Sequence, residues 1–253
     1  MYERPDVPKG GKYTNVIAVT VLVVIAIAVF VLVATLWRLA NENTALGDKD
    51  LATAVSAATP TTETQVQLGS DIGYVPSGDT LTTVLFVVTP DNSTGKLSSL
   101  YLAVLNETQG TSTLVQIPAD ARLRSDSATS SLAAIYASNG SATLASTLAS
   151  ECGVPVSHLA VMDESGWNAF MTVASQGTSA LASKATELAG GITKSDMDTV
   201  TLLDLAKRAV SAGLSSYSMA EVNTTDETDP NGASYKEMLP SDIAILAGAL
   251  RQR

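Results

Sequence analysis

The sequence predicts an α/β domain, with a mixed central sheet flanked by helices, that follows one N-terminal transmembrane helix. Three observations predict it: a long uncharged apolar segment near the N-terminus, three β-branched runs joined by turn residues, and strand-like segments that then alternate with helix-like ones. Residues 79–253 are enough to bury about 70% of their unfolded surface, so an independent core is feasible.

The charge balance and the rare cysteine exclude several classes of function. The chain has 15 Lys and Arg against 25 Asp and Glu, a formal net charge of −10. Nucleic-acid binding needs a basic face, so no nucleic-acid partner is expected. One cysteine excludes an intrachain disulfide framework, and one cysteine with one histidine excludes a zinc site of thiolates and imidazoles.

Val16–Trp37 is the apolar segment, 22 residues without a charge, glycine or proline. As a helix it would be roughly 33 Å long, enough for the hydrocarbon core of a bilayer. Tyr13 and Trp37 stand at its ends, where aromatic rings favour the membrane interface. A buried core helix rarely stays uncharged over this length, and the apolar part of a cleaved signal peptide is usually shorter. We therefore predict one transmembrane helix at residues 16–37.

The basic residues around this span predict its orientation. Three precede it and two follow within a comparable distance, Arg4, Lys9 and Lys12 against Arg38 and Lys49. Because cytoplasmic flanks carry the excess of Lys and Arg, we expect a cytoplasmic tail at residues 1–15. The protein is then a single-pass protein of the cell membrane with its C-terminal domain outside the cell.

Residues 38–78 are rich in Ala, Thr, Asn and Ser, with scattered acids. Their apolar residues are too sparse to predict a packed core, and Gly69–Gly78 is rich in turn residues. The prediction is an extracellular stalk or linker at residues 38–78, followed by the folded domain at residues 79–253.

The folded domain begins with three strand-like runs. Thr82–Thr89, Leu97–Leu105 and Ser112–Ile117 are rich in β-branched and apolar residues, and turn residues separate them. Runs at this spacing, joined by hairpin-like turns, predict an antiparallel meander.

Helix-like and strand-like segments alternate after the meander. Helices are predicted where Ala-rich or amphipathic stretches lie between capping residues and glycines. This order predicts a mixed sheet with helices on its faces. The predicted helices are Ser130–Ser138, Ser141–Cys152, Gly166–Ser175, Leu202–Ala212 and Asp242–Leu250; strands are predicted at Pro155–Asp163 and after Gly191, and an acidic loop at Val222–Gly232.

Three stretches carry a resemblance to a known family. Thr113–Leu123 (TLVQIPADARL) stands where the family has a strand ending in S-I-P-R-D. Ser131–Gly177 follows the family's order of helices, a G-I-P strand and a G-F-x-x-L-V-D helix. Met197–Leu250 resembles the family's closing helix, acidic loop, G-x-x-Y strand and last helix. On these residues the chain resembles the LytR-CpsA-Psr family of membrane-anchored cell-envelope proteins.

The resemblance implies both a fold and a function. It implies an outer α/β/α domain that transfers glycopolymers from polyprenyl-diphosphate carriers to peptidoglycan, usually with Mg²⁺. The implied partners are the membrane and a polyprenyl-linked glycan or other cell-wall component. Mg²⁺ is expected from the resemblance only, because the residues themselves predict no cofactor.

The chain departs from the family's pattern at the residues expected to hold the diphosphate. The family's strand-end Asp corresponds to Asp91, which the resemblance makes a candidate catalytic and metal-binding residue. Ser99 stands where the family has its Mg²⁺-binding Asp. Ala119 stands where it has a diphosphate-binding Arg, which leaves Asp120 as the second catalytic candidate.

The basic residues left in the domain are few. The family's arginine-rich segment, expected between residues 177 and 197, is missing, and only Lys184 and Lys194 are basic there. Residues 39–253 carry 11 basic and 23 acidic side chains, a net charge of −12 that repels a diphosphate. Arg122 and Arg124 are the candidate phosphate-binding residues, since two residues apart in an extended segment face the same side. The alternative is a pair of solvated loop arginines.

His158 and Cys152 have simpler interpretations than catalysis. His158 lies in a strand-like run, without a Ser or Cys at a recognisable spacing, and we interpret it as a hydrogen-bonded or solvent-facing histidine. Cys152 precedes Gly153 at a helix end and is interpreted as a small buried apolar residue.

Three functions are consistent with these residues. The first is a degenerate, non-catalytic member of the family, a pseudoenzyme that binds or scaffolds in cell-wall glycopolymer assembly. The second is an active phosphotransferase that moves glycopolymer from polyprenyl diphosphate to peptidoglycan with Asp91, Asp120, Arg122 and Arg124. The third is an anchored sensor or adaptor domain unrelated to the family.

Overall fold

A computed structural model describes residues 46–91, 95–124, 130–176, 180, 183–184, 188, 190–198, 200–202, 204–205, 208, 218–229 and 231–253. All of them belong to one unit of the chain, Ala45–Arg253. The predicted cytoplasmic tail at residues 1–15 and the predicted span at residues 16–37 lie outside the described residues. Of the helices in the described ranges, none is both long and apolar enough to cross a membrane.

Helices and strands alternate along the described chain. In chain order they are α1 (Lys49–Ala57), α2 (Thr62–Ser70), β1 (Tyr74–Pro76), β2 (Leu81–Thr89), β3 (Ser99–Asn106), β4 (Thr111–Ile117), β5 (Arg122–Leu123), α3 (Leu132–Cys152), β6 (His158–Asp163), α4 (Glu164–Ala174), β7 (Ile192–Ser195), β8 (Ser218–Glu221), β9 (Thr225–Thr228), β10 (Ser234–Met238), α5 (Pro240–Leu246) and β11 (Leu250–Gln252).

The central sheet has six strands in the order β7-β6-β2-β3-β4-β8. Strands β2, β3 and β4 pair antiparallel, so the predicted meander is confirmed. Strand β6 joins β2 in parallel, β8 joins β4 in parallel, and β7 pairs antiparallel with β6. The sheet is therefore mixed, as the sequence predicted. Two small sheets flank it, β5-β10-β9 and β1-β11.

The two faces of the central sheet carry separate apolar cores. Leu85 and Val87 of β2 belong to one core, which α1, α3 and α5 complete. Val84, Phe86 and Val88 belong to the other, which contains Trp167 of α4. Because successive side chains of a strand point to opposite faces, a strand buried on both faces is a continuous apolar run. The predicted arrangement of a mixed sheet flanked by helices is confirmed.

The prediction of a linker at residues 38–78 is wrong for residues 49–76. These form α1, α2 and β1, and Leu51, Val55 and Ala58 are at most 5% exposed. Apolar residues are sparse here, yet Leu51 and Val55 are spaced i, i+4 on one face of α1, and Ala58 follows directly as its C-cap. The position of the apolar residues on one helix face, and not their average density along the segment, decides whether the segment packs on the core.

Two predicted helices form one bent element, α3. Ser131 caps its start by accepting a hydrogen bond from the backbone N–H of Ala134. Gly140 interrupts the helix with φ 78°, a conformation that a glycine adopts without steric cost. Gly153 ends it in the left-handed region at φ 64°, so the predicted stop is confirmed.

The C-terminal part differs from the prediction in two places. The predicted acidic loop at 222–232 contains strand β9, which pairs antiparallel with β10. An exposed edge strand is held by backbone hydrogen bonds and needs no apolar pattern, so the sequence did not reveal it. The predicted helix at 242–250 ends at Leu246, because Gly248 turns the chain at φ 69° and β11 then pairs with β1.

Candidate ligand-binding cleft

One edge of the central sheet collects the chain's candidate functional residues. Strands β2, β4, β6 and β8 all run in the same direction, because each is parallel to its neighbour or separated from it by an antiparallel strand. Their carboxyl ends therefore meet at one edge, where open α/β sheets bind ligands. Asp91 follows β2, Asp120 follows β4, and Asp163 ends β6. Strand β3 separates β2 from β4, which places the two strands roughly 10 Å apart.

A cleft of about 590 Å³ lies beyond the end of β4. Its volume is within the range of small-molecule sites. The connection from β4 to β5, the start of α3, and strands β9 and β10 supply its walls. The lining residues are Asp120, Arg122, Ser130, Ser131, Ala134, Asp226, Ser234, Tyr235 and Lys236.

Asp120 and Lys236 form an ion pair in this cleft, with Oδ2 3.0 Å from Nζ. The hydrogen bond and the charge of Asp120, with smaller contributions from Asp226 and Glu221, hold the pKa of Lys236 above its usual value. Asp226 stands directly opposite Lys236 in the register of β9 and β10. The ammonium group therefore stays charged and has carboxylates as its neighbours.

The structure separates the two arginines that the sequence paired. Arg122 lines the cleft, and its guanidinium carbon lies 4.3 Å from the centre of the Tyr235 ring. Arg124 is not among the lining residues: its Nε lies 2.5 Å from Oε2 of Glu237, and its Nη2 3.8 Å from Oε1 of Glu227. The hydrogen bond to Glu237 raises the pKa of Arg124 above its usual value. Of the two arginines, only Arg122 is thus placed to contact a ligand in the cleft.

Asp91 lies away from the cleft lining, at the start of α4. Its Oδ1 accepts a hydrogen bond of 3.1 Å from the backbone N–H of Ser165. Asp163 caps the same helix by accepting from the N–H of Gly166 at 2.8 Å, and Glu164 accepts from the hydroxyl of Ser98. These carboxylates satisfy the free N–H and O–H groups at a helix N-terminus.

These residues do not fit the Mg²⁺ ion that the resemblance implies. Mg²⁺ requires several oxygen ligands in an octahedral arrangement. Asp91 has one oxygen on the Ser165 N–H. Over the ranges that the structure describes, no three His, Cys, Asp or Glu side chains lie close enough together to hold a metal.

The remaining candidates have structural partners. Lys194 lies 3.2 Å from Oδ2 of Asp48, and Lys184 is exposed. His158 has its Nδ1 2.9 Å from Oδ2 of Asp196, so its interpretation as a hydrogen-bonded strand histidine is confirmed. Cys152 is fully buried, as predicted, and burial raises the pKa of its thiol.

Solved structures resemble this fold. TagV of B. subtilis matches with a TM-score of 0.52 and 13% identity, over 67% of this chain and 95% of that chain. The transcriptional regulator yvhJ from Bacillus subtilis matches with a TM-score of 0.51 and 17% identity, over 67% and 94%. B. subtilis TagT bound to LI-WTA matches with a TM-score of 0.50 and 14% identity, over 68% and 89%. TagT is a LytR-CPS2A-psr family protein.

The domain has the LytR-CpsA-Psr fold. The fold expected from the resemblance is confirmed, and identities this low show the fold alone. No family model matches the chain. No curated protein sequence matches it either.

The LytR-CpsA-Psr fold also brings in residues that the sequence did not single out as a site. Tyr235 and Lys236 of β10 and Ser130 and Ser131 before α3 line the cleft with Asp120. The sequence offered one signal, the match of Gly232–Tyr235 to the family's G-x-x-Y strand. That signal located a strand but not its neighbours, because the pairing of β10 with β5 joins segments distant in sequence.

Proposed function

We propose that this protein is a membrane-anchored, non-catalytic protein of the cell envelope that binds or scaffolds in cell-wall glycopolymer assembly. The observation that carries the proposal is the pairing of cationic side chains with carboxylates around the cleft. Lys236 is paired with Asp120 and Arg124 with Glu237. Of the two cations in the cleft lining, Lys236 is thus neutralised by the protein itself, and Arg124 is held outside the lining.

Transfer from a polyprenyl diphosphate needs positive charge where the leaving phosphate gains negative charge. Arginine forks and metal ions supply that charge in phosphoryl-transfer enzymes. An exposed ion pair such as Lys236–Asp120 is weak because solvent screens it, so its strength does not prevent phosphate binding. The carboxylates themselves oppose phosphate binding, because a dianion that enters the cleft would approach Asp120 and Asp226 as well as the cations.

The shared fold supports the cell-wall part of the proposal. TagT, which has the same fold, is bound to LI-WTA in one of its structures. The anchoring part rests on the apolar segment Val16–Trp37, with residues 1–15 in the cytoplasm and the domain outside the cell. An anchor of this kind would keep the cleft near lipid-linked wall precursors.

The decisive experiment is a transfer assay with the full-length chain in detergent. The substrates are a polyprenyl-diphosphate disaccharide and peptidoglycan, with and without Mg²⁺. We expect neither transfer of the disaccharide nor release of phosphate above the rate without protein. Turnover that disappears in Asp120→Asn would overturn the proposal.

The active phosphotransferase is the second candidate, because Asp120 and Arg122 do share the cleft. If that candidate were correct, replacing Arg122 and Arg124 together by Ala would abolish binding of the lipid diphosphate. Arg208→Ala is the matched control, since Arg208 pairs with Glu107 and Asp204 outside the cleft lining. Equal lipid-diphosphate affinity in both variants would reject the phosphotransferase.

A further inference from the structure

The cleft beyond β4 is lined by positively and negatively charged side chains in equal number. Asp120 and Asp226 are the carboxylates, and Arg122 and Lys236 are the cations, so the formal charges of its lining sum to zero. Serine hydroxyls and the Tyr235 ring complete the walls. Such a lining can donate and accept hydrogen bonds at several points, so it suits a polar, hydrogen-bonding ligand.

The hydrogen-bonding chemistry of these groups selects a type of ligand. A carboxylate only accepts hydrogen bonds, an ammonium or guanidinium only donates them, and a hydroxyl group does both. A ligand with several hydroxyl groups can therefore donate to Asp120 and Asp226 and accept from Arg122 and Lys236. A phosphate has oxygens that only accept, so it would bring negative charge beside Asp120 and Asp226 without donating a hydrogen bond to either.

Arg122 is held in a way that suits such a ligand. Its guanidinium lies over the Tyr235 ring at 4.3 Å from the ring centre, which engages the face of the planar group. Its N–H donors lie in that plane, so stacking leaves them available for hydrogen bonds at the edge. The β5–β10 pairing fixes this arrangement, because it places Arg122 beside the strand that carries Tyr235.

We infer that the cleft binds an uncharged saccharide and discriminates against its phosphorylated form. The inference rests on the proposed function, since it names the class of ligand that a non-catalytic cell-wall binding protein would take. It differs from what the fold alone implies, because the diphosphate of a lipid carrier is not the group recognised in this cleft. Asp226 and Asp120 are the residues that set the preference.

The test uses the full-length chain in detergent on an array of neutral oligosaccharides, each beside its phosphorylated form. We expect binding to at least one neutral oligosaccharide and weaker binding to its phosphorylated partner. Preference for the phosphorylated forms, or no binding to any neutral oligosaccharide, overturns the inference.

Two variants with matched controls locate the binding. Ala134→Phe places a ring in the cleft wall from an exposed helix position and should abolish binding, whereas Ala169→Phe on the exposed side of α4 should not. Asp226→Asn should weaken neutral saccharide binding by roughly tenfold, because a hydrogen bond to a charged group is lost. Glu227→Gln on the same strand changes the charge equally outside the cleft lining and should leave the affinity unchanged. If the control variants lose as much saccharide binding as the cleft variants, the saccharide does not bind in this cleft.

The saccharide array and the transfer assay test the two proposals separately, so either proposal can be overturned without the other. Turnover of the lipid-linked substrate, together with binding of a neutral saccharide in the cleft, would overturn only the non-catalytic proposal. Absence of turnover together with a preference for phosphorylated saccharides would overturn only the inference about the ligand.

Discussion

Asp48 and Lys194 form an ion pair between the N-terminal helix α1 and strand β7, with Oδ2 of Asp48 3.2 Å from Nζ of Lys194. The other carboxylate oxygen, Oδ1, caps α1 by accepting from the N–H groups of Asp50 and Leu51, each at 2.9 Å. One side chain thus starts the helix and fastens it to the edge of the central sheet. The segment that follows the predicted membrane span is therefore a structural part of the domain.

Replacing Asp48 by Ala should lower the free energy of unfolding by about 1 kcal/mol, the usual contribution of a helix N-cap. Burial alone would raise the pKa of Asp48, but the hydrogen bond from the Leu51 N–H and the contact with Lys194 hold that pKa below its usual value. A lowered pKa adds stability above the unfolded value, about 3.9, and the stability is lost as pH falls through the folded value. Urea unfolding near pH 7 and near pH 3 should show the difference between wild type and variant shrink on acidification.

The cap and the ion pair can be separated by a second variant. Lys194→Met removes the ion pair but keeps the cap, and a half-exposed pair contributes only about 0.2–1 kcal/mol. We expect Lys194→Met to cost less than Asp48→Ala. A larger cost for Lys194→Met would mean that the ion pair, and not the cap, is the main role of Asp48.

Val55 and Val66 offer a matched test of whether α1 belongs to the core. Val55 is 5% exposed in α1, whereas Val66 is 51% exposed in α2. Val55→Ala should lower the free energy of unfolding by about 2 kcal/mol, from two lost methyl groups and the space they leave. Val66→Ala should change it by less than about 0.5 kcal/mol. Equal urea midpoints for the two variants would contradict the packing of α1 on the sheet.

Gly166 approaches the backbone of Gly191 too closely for any side chain. A Cβ added at Gly166 would lie 2.7 Å from the carbonyl oxygen of Gly191 and 3.1 Å from Oδ1 of Asp163. Helix propensity alone would make Gly166→Ala stabilising by up to about 1 kcal/mol. The steric overlap reverses the sign, so we expect Gly166→Ala to lower the melting temperature.

Asn168→Ala is the control for this effect, because Asn168 is exposed on the same helix. It gains helix propensity without an overlap and should leave the melting temperature equal or slightly higher. A stabilising Gly166→Ala would show that β7 and α4 separate without cost.

Cys152 provides a chemical probe of unfolding, since it is the only cysteine in the chain. Its side chain is fully buried, and burial raises the pKa of the thiol, so little reactive thiolate exists in the folded protein. Iodoacetamide followed by mass spectrometry should show no labelling in buffer and complete labelling in denaturant. Val55→Ala should speed labelling in buffer if exposure requires unfolding, whereas rapid labelling of the wild type would contradict the burial.

The meander and the alternation of helices and strands were predictable because their signals are local. Strand β2 is an apolar β-branched run, and the stop at Gly153 follows from the freedom of glycine in the left-handed region. Strand β9 was missed because an exposed edge strand has no apolar period. The packing of α1 on the core was missed because two apolar residues on one helix face do not raise the apolar content of the segment.

The residues of the candidate site were likewise predicted only in part. The sequence indicated Asp91, Asp120, Arg122 and Arg124, and the structure brings only Asp120 and Arg122 into one cleft. Arg124 turns to Glu237, and Asp91 accepts from the N-terminus of α4. Two residues close in sequence can thus have different partners, because each partner comes from a strand or helix that folding brings to it.

By itself the sequence determined the acidic character of the domain and its α/β class. These depend on composition and on local periodicity, which a chain carries before it folds. The tertiary structure decided where each charge is neutralised. Lys236 meets Asp120 through the pairing of β10 with β5, and Lys194 meets Asp48 through the docking of α1. Electrostatic interactions depend on distance in space, and only the packed fold sets those distances.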